Sequence, residues 1–407
     1  MARTYDLVLF GATGFTGKLV AEYLAKHATG LAWAVAGRSE AKLREVLDGI
    51  DRGSAAGGKR VGLLVADAAD AESLKRVVTA ARVVVTTVGP YAKYGQSLAR
   101  AAAEHGTHYC DITGEVPFVR RSIDENHARA RETGARLVHC CGFDSIPSDL
   151  GVLLLADRAR ELDTTLEATR LVVLSAKGGF SGGTAASMMN LMREAERDRA
   201  LRRLLRDPYS LTPDRASELT VDGPDPVRVR WDEDAKVWTG PFIMAAINTR
   251  VVRRSNALLD HRYGRAFGYE ETMSFSRGPR GLAKAGAFVA GLGATMLAAS
   301  REPSRAVLER FLPKPGEGPS KAQRDGGFFR IAIYAKTSNG ARLEARVEGT
   351  SDPGYGETAK MLAESALALA GGELSSAEGG VLTPAAALGQ GLIARLRAAG
   401  MTFELKK

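Results

Sequence analysis

The stretch that most constrains this chain is the apolar run Leu7-Val8-Leu9-Phe10, which ends in Gly11-Ala12-Thr13-Gly14-Phe15-Thr16-Gly17 and continues directly into a helical pattern over residues 18–26. Strand, glycine-rich turn and helix in that order open a dinucleotide-binding βαβ unit. Gly11 lets the chain leave the strand in a tight turn. Gly14 clears space for backbone N–H groups to reach a pyrophosphate, and Gly17 lets helix and strand pack closely. The helix N-terminus adds partial positive charge to the cradle formed by residues 11–17.

About twenty residues further on, where such units carry their ribose-binding side chain, a second apolar run over residues 31–36 ends in Gly37-Arg38-Ser39. A site for the unphosphorylated coenzyme would place Asp or Glu there to hold the ribose 2′-hydroxyl. Here Arg38, Ser39 and Lys42 stand in that place, a set suited to charge-assisted bonds with a 2′-phosphate. The expected cofactor is therefore NADPH.

The remaining strands fall at βαβ spacing. Residues 61–66 lead to Asp67, either an adenine contact or the cap of the next helix. Residues 82–88 end in Val88-Gly89-Pro90-Tyr91. Residues 107–112 lead to Thr113-Gly114-Glu115, and residues 136–141 to the stretch from Gly142 to Asp149. Ligands of open parallel sheets sit at the C-terminal strand edge. Val88, Gly89, Pro90, Tyr91, Tyr94 and Gly114 are therefore expected beside the nicotinamide end of the cofactor. Six strands make a Rossmann-type doubly wound parallel sheet over residues 1–150.

Residues 151–352 read as a second, α+β domain built on a mostly antiparallel sheet. Its strands are expected at 165–175, 237–252, 269–276, 328–336 and 341–349, and a helix at 185–205. A polar loop is expected over 51–59 and a glycine-rich one over 177–184. Residues 353–407 read as a mainly helical segment returning to the first domain. Residues 281–299 are almost wholly small or apolar, broken only by Lys284. They are expected to form a buried or interface helix, or next a greasy wall or membrane-touching face for a lipid-like substrate.

With 407 residues, 45% of them apolar, two or three domains are expected. The three cysteines, Cys110, Cys140 and Cys141, support neither a disulfide framework nor a metal site, and a cytoplasmic location fits them best. The net charge of +9 does not read as a nucleic-acid footprint. The arginines are spread along the chain, and in residues 193–207 they alternate with Glu194, Glu196, Asp198 and Asp207, as on a solvated helix face.

Taken together, the 11–17 loop, Gly37-Arg38-Ser39, Val88-Gly89-Pro90-Tyr91, Asp111-Ile112-Thr113-Gly114-Glu115, the 142–149 stretch and Gly380-Val381-Leu382-Thr383-Pro384-Ala385 resemble the saccharopine dehydrogenase-like family. Within it the chain is most similar to the bacterial branch of trans-acting enoyl reductases. The resemblance covers the whole chain. It implies a Rossmann domain, a second domain supplying the substrate pocket, and a C-terminal segment packing back on the first. The implied activity is NADPH-dependent reduction of an activated C=C bond in an enoyl thioester or another hydrophobic, lipid-like substrate. An imine or amino-acid oxidoreductase and a non-catalytic NADP(H) sensor are the alternatives. Expected partners are a small-molecule or carrier-bound hydrophobic substrate, with a membrane surface, an acyl carrier or a second copy of the chain as further contacts.

Four residues are candidates for the chemistry. Tyr91 and Tyr94 follow the fourth strand, and Asp144 and Ser145 follow the sixth, so all four face one crevice. Tyr91 is equally suited to walling the nicotinamide pocket, and Asp144 to capping the helix that Pro147 begins. No tyrosine has lysine four residues later, which excludes the short-chain dehydrogenase arrangement.

Overall fold

The computed structural model describes residues 3–51, 61–178, 182–299, 304–305, 318–375 and 378–406. Most of the polar loop expected over 51–59, and the middle of the glycine-rich loop at 177–184, lie outside the described residues.

Strands β1 (Tyr5–Phe10), β2 (Trp33–Gly37), β3 (Gly62–Val65), β4 (Ala81–Thr86), β5 (His108–Asp111) and β6 (Arg136–Val138) form a parallel sheet in the order 6-5-4-1-2-3. Leu7, Val8, Leu9, Val83, Val84 and Val85 are all fully buried, as a sheet covered on both faces requires. The chain order reverses between β1 and β4, which places the ligand crevice at their C-terminal ends.

The helices between these strands are α1 (Phe15–His27), α2 (Glu40–Asp51), α3 (Ala71–Ala80), α4 (Tyr91–Glu104) and α5 (Val116–Thr133). Helices α4 and α5 each begin at a buried residue directly after their strand's turn, Tyr91 and Val116. Pro90 and Pro117 pre-set the first turns, and buried Tyr91, Val116, Phe118 and Val119 hold those turns in the core.

The sheet does not end at β6. Strand β13 (Gly380–Leu382) adds in parallel beyond it, with Val381 opposite Leu137. The C-terminal return is thus a strand as well as helices.

The second sheet runs β14 (Thr402–Lys406), β12 (Arg342–Gly349), β11 (Phe328–Thr337), β7 (Leu166–Lys177), β10 (Gly268–Ser274), β9 (Val237–Pro241), β8 (Arg230–Asp232). Its neighbours are antiparallel except β7 and β10. Helix α6 (Ile146–Glu161), buried along most of its length, packs against this sheet; at Gly151 a side chain would strike Ile333. Asp149 of α6 accepts from Ala385 N at 2.8 Å and from Ser255 Oγ, which also bonds Thr383 Oγ1 at 2.6 Å. The motif at 142–149 and the motif at 380–385 thereby meet.

Two expectations are corrected, and a third, the buried or interface helix at 281–299, loses its buried alternative. The strand expected over 237–252 stops at Pro241, and the chain turns into helix α9 (Ala245–Leu258). This helix is buried on nearly every side, so it carries no amphipathic period, and Ile247, Val251 and Val252 imitate a strand. Its buried arginines each find partners of their own: Arg250 donates to Asp225 and Leu205 O, Arg253 to Asp222 and Tyr269 O, and Arg254 to Leu211 O and Val381 O.

The helix expected over 185–205 is two, α7 (Gly182–Arg197) and α8 (Arg199–Arg206), because the Asp198 carboxylate accepts from Ala200 N and Leu201 N and starts a new helix.

Residues 281–299 belong to α10 (Gly278–Ala299), which is not buried. Among its described residues only Gly281, Ala285 and Ala299 are covered. It lies against β9 and Phe275 through that narrow small-residue stripe and the edge of Phe288. Leu282, Met296 and Leu297 face outward, and none of its residues lines the cleft described next. By length and composition it could cross a membrane.

Candidate active site

A cleft of about 700 Å³ opens at the C-terminal ends of β1 to β4. Its floor is the glycine loop. Gly11 has φ +91°, and a side chain there would sit 2.6 Å from Val88 Cγ2. At Gly17 a Cβ would strike Gly11 O and lie 2.9 Å from Ala12 Cα, so only glycine lets α1 approach its own turn. Gly14 is the N-cap of α1, with extended backbone and no side-chain cap, and the first turn of α1 holds no acid. Those first-turn N–H groups suit a diphosphate. Thr13, Phe15 and Thr16 line the cleft, while Ala12 is buried beneath the loop.

At the far end Arg38 and Lys42 line the cleft, and among the described residues neither pairs with a carboxylate. Ser39 does not line it; its Oγ accepts from Lys42 N at 3.4 Å, at the start of α2. Asp67 lines the cleft and accepts from Ala69 N at 3.0 Å, while Asp70 caps α3. Two cations and no acid at the end of β2 fit a 2′-phosphate.

At the other end the cleft is lined by Val88, Gly89, Pro90, Tyr91, Tyr94, Ile112, Gly114, Glu115 and Asp144. The Gly89–Pro90 peptide is cis. The Tyr91 ring is buried and its hydroxyl turns inward, donating to Thr86 O at 3.1 Å and accepting from Ile112 N at 3.4 Å. Its proton is thus engaged within the first domain. Tyr94 is about half exposed at the rim. Ser145, the N-cap residue of α6, lies outside the cleft and donates to Asn248 Oδ1 at 3.0 Å. Asp144 is not that cap. A Cβ on Gly114 would lie 3.6 Å from Asp144 Oδ2, 3.6 Å from Met244 Cε and 3.9 Å from Ile247 Cγ2, so carboxyl and apolar side chains converge on one spot. Desolvation there raises the Asp144 carboxyl to about 6.

Glu115 was not singled out as a site residue in the sequence, although it closes the Asp111–Glu115 stretch. Its carboxylate accepts from Tyr91 N at 2.9 Å, Ala92 N at 2.8 Å and Ser187 Oγ at 2.7 Å. Behind it Asp111 accepts from Tyr109 Oη at 2.8 Å, Thr113 N at 3.1 Å and Cys140 N at 3.2 Å, and meets His139 Nδ1 at 2.7 Å. This buried cluster holds Cys140 at φ +64° and sets the turns that carry Gly114 and Asp144.

The second domain supplies the facing wall: Ser187, Met188 and Leu191 of α7, Leu205 of α8, then Ile243, Met244, Ala246 and Ile247. No sequence motif marks these residues, because each belongs to an ordinary helical pattern and meets the cleft only through tertiary packing. They provide the apolar wall that was expected of residues 281–299.

A Rossmann sheet whose glycine loop, Arg38 and Lys42 line one cleft, faced by apolar side chains of the second domain, fits an NADP(H)-binding oxidoreductase. A family model described as the saccharopine dehydrogenase NADP-binding domain matches residues 7–138. Over 99% of its length the chain is 47% identical to a Mycobacterium tuberculosis protein whose name places it among the trans-acting enoyl reductases, covering 97% of that protein. It is 45% identical to the trans-acting enoyl reductase of Mycobacterium ulcerans, over 98% of this chain and 97% of that one. Among solved structures, saccharopine dehydrogenase (L-Glu forming) from Saccharomyces cerevisiae superposes with a TM-score of 0.56 at 11% identity, over 98% of this chain and 99% of the other, a likeness of fold. The chain belongs to the saccharopine dehydrogenase-like family, in the branch of the trans-acting enoyl reductases.

Proposed function

We propose that the protein uses NADPH to reduce the C=C bond of an enoyl thioester presented on a separate carrier. The observation that carries this reading is the composition of the cleft. Its lining cations among the described residues, Arg38 and Lys42, both lie at the ribose end, and its other end is walled by Met188, Leu191, Leu205, Met244 and Ile247. An amino-acid substrate would need cations at that end for its carboxylates, whereas an acyl chain needs none. The names of the relatives point the same way.

NADPH bound along the glycine loop would supply a hydride. The protein's part is to hold the enoyl carbons in line and to manage one proton. Asp144, its carboxyl raised to about 6 by desolvation, is the acid that gives a proton to the α-carbon and takes one back from solvent. Gly114 leaves room beside it, and Tyr91 and Tyr94 shape the pocket. The apolar wall excludes water.

The test is purified protein with NADPH and matched panels of enoyl thioesters, imines and free amino acids. Loss of NADPH absorbance is expected with enoyl thioesters alone. Tight NADPH binding with no consumption on any panel would make the protein a sensor and overturn the proposal.

A further inference from the structure

The helices that wall the apolar end of the cleft have a second face. Inward, α7 and α8 present Leu191 and Leu205 to the cleft and bury Met189 and Leu201. Outward they carry Arg197, Arg199, Arg203 and Arg206, all exposed. In sequence these arginines alternate with acids, but in the structure the acids are engaged elsewhere. Glu196 meets Arg305 at 3.3 Å, Asp198 caps α8, Asp207 is held by Arg215 at 2.9 Å, and Glu194 accepts from Asn190 Nδ2 at 2.7 Å. Among the described residues none of the four arginines pairs with a carboxylate. Helix α8 contains four arginines and no acid. A solvated face laced with i,i+4 ion pairs would look different.

We propose that this face docks the acidic surface of the acyl carrier, so that the carrier's thioester arm enters the cleft alongside Leu191 and Leu205. The inference rests on the proposed enoyl reduction and names where its partner sits. An unpaired cationic surface accelerates encounter with an acidic protein and fixes its orientation, and such contacts act on association and on salt dependence more than on the chemical step. The apolar back of the same helices forms part of the cleft wall, which makes this surface the one adjoining the substrate's apolar end.

The test compares the wild type with a triple Arg199→Glu, Arg203→Glu, Arg206→Glu variant on two substrates: a crotonyl thioester of an acyl carrier protein, and the same crotonyl group on N-acetylcysteamine. The variant should lose about tenfold or more in kcat/KM on the carrier-bound substrate, through KM, and stay within about twofold on the free thioester. Fluorescence anisotropy of labelled holo-carrier should show a matching loss of affinity, and wild-type affinity should fall with salt. Unchanged carrier binding in the triple variant overturns the proposal. So does an equal loss when the same arginines are changed to Lys, because charge docking tolerates Lys. NADPH calorimetry on each variant checks the fold. If neither thioester is reduced by the wild type while the carrier still binds through these arginines, the enoyl reduction fails and the docking face stands.

Discussion

The Ser187 hydroxyl donates to the Glu115 carboxylate at 2.7 Å, and this bond ties the second domain's α7 to the turn that starts α4. The same carboxylate receives Tyr91 N and Ala92 N, two of the N–H groups that a helix start leaves without partners. One side chain therefore caps α4 at the edge of the cleft and bonds the facing wall. Ser187→Ala removes the link and leaves the cap. It should cost about 1 kcal/mol, read from the denaturant midpoint, and raise KM for the acyl substrate more than it weakens NADPH binding. An unchanged KM would mean that the bond has no part in aligning the wall.

Arg38 faces the ribose end of the cleft with no carboxylate partner among the described residues. Arg38→Ala should weaken NADPH binding about ten- to a hundredfold, the value of one or two charge-assisted hydrogen bonds, and leave NADH binding nearly unchanged. Isothermal calorimetry with both coenzymes measures it. Equal losses would remove Arg38 from the 2′-phosphate site.

Tyr91 and Asp144 separate by substitution. Because the Tyr91 hydroxyl is spent on Thr86 O, Tyr91→Phe should keep kcat within about twofold and cost about 1 kcal/mol of stability. Asp144→Asn cannot deliver a proton and should lower kcat by about a hundredfold or more with NADPH affinity retained. In the wild type, an acid raised to about 6 loses its proton above that value, so kcat should fall as pH rises through about 6. A turnover loss in Tyr91→Phe and none in Asp144→Asn would reverse these roles.

Two carboxyls away from the cleft set a pH dependence of stability. Burial raises Asp149 to about 7 and Glu271 to about 7, even though Ser255 and Ala385 N bond the first and Tyr269 and Asn248 the second. A raised carboxyl leaves the folded state holding protons that the unfolded chain releases. Their stabilisation is present below the ordinary carboxylate range and is lost as pH rises toward 7. Urea midpoints should therefore decline between about pH 4.5 and 7. Glu271→Gln should flatten the decline; the same slope in that variant would exclude Glu271 as its source.

The parallel sheet was legible because it rests on local signals, apolar runs ending in glycine-rich turns, and the glycine loop and Arg38 that those signals mark do line one cleft. Helix α9 was not, since complete burial removes the amphipathic period that distinguishes a helix from a strand. The substrate wall was not, because Met188, Leu205 and Met244 come together only through packing. Residues 281–299 have a composition that fits core and interface alike, and α10 touches the protein through a stripe too narrow to be core. Glu115 sat inside a recognised motif, but its partner Ser187 lies in another domain and no spacing rule reaches it.

Strand β13 joins the nucleotide-binding sheet after every strand of the second sheet except β14 has been made. On a translating ribosome the first domain must therefore wait with the edge of β6 uncovered, and the carbonyl that takes Arg254, Val381 O, arrives with the missing strand. A nascent chain halted before residue 380 would leave that bare β edge as a template for pairing with another chain.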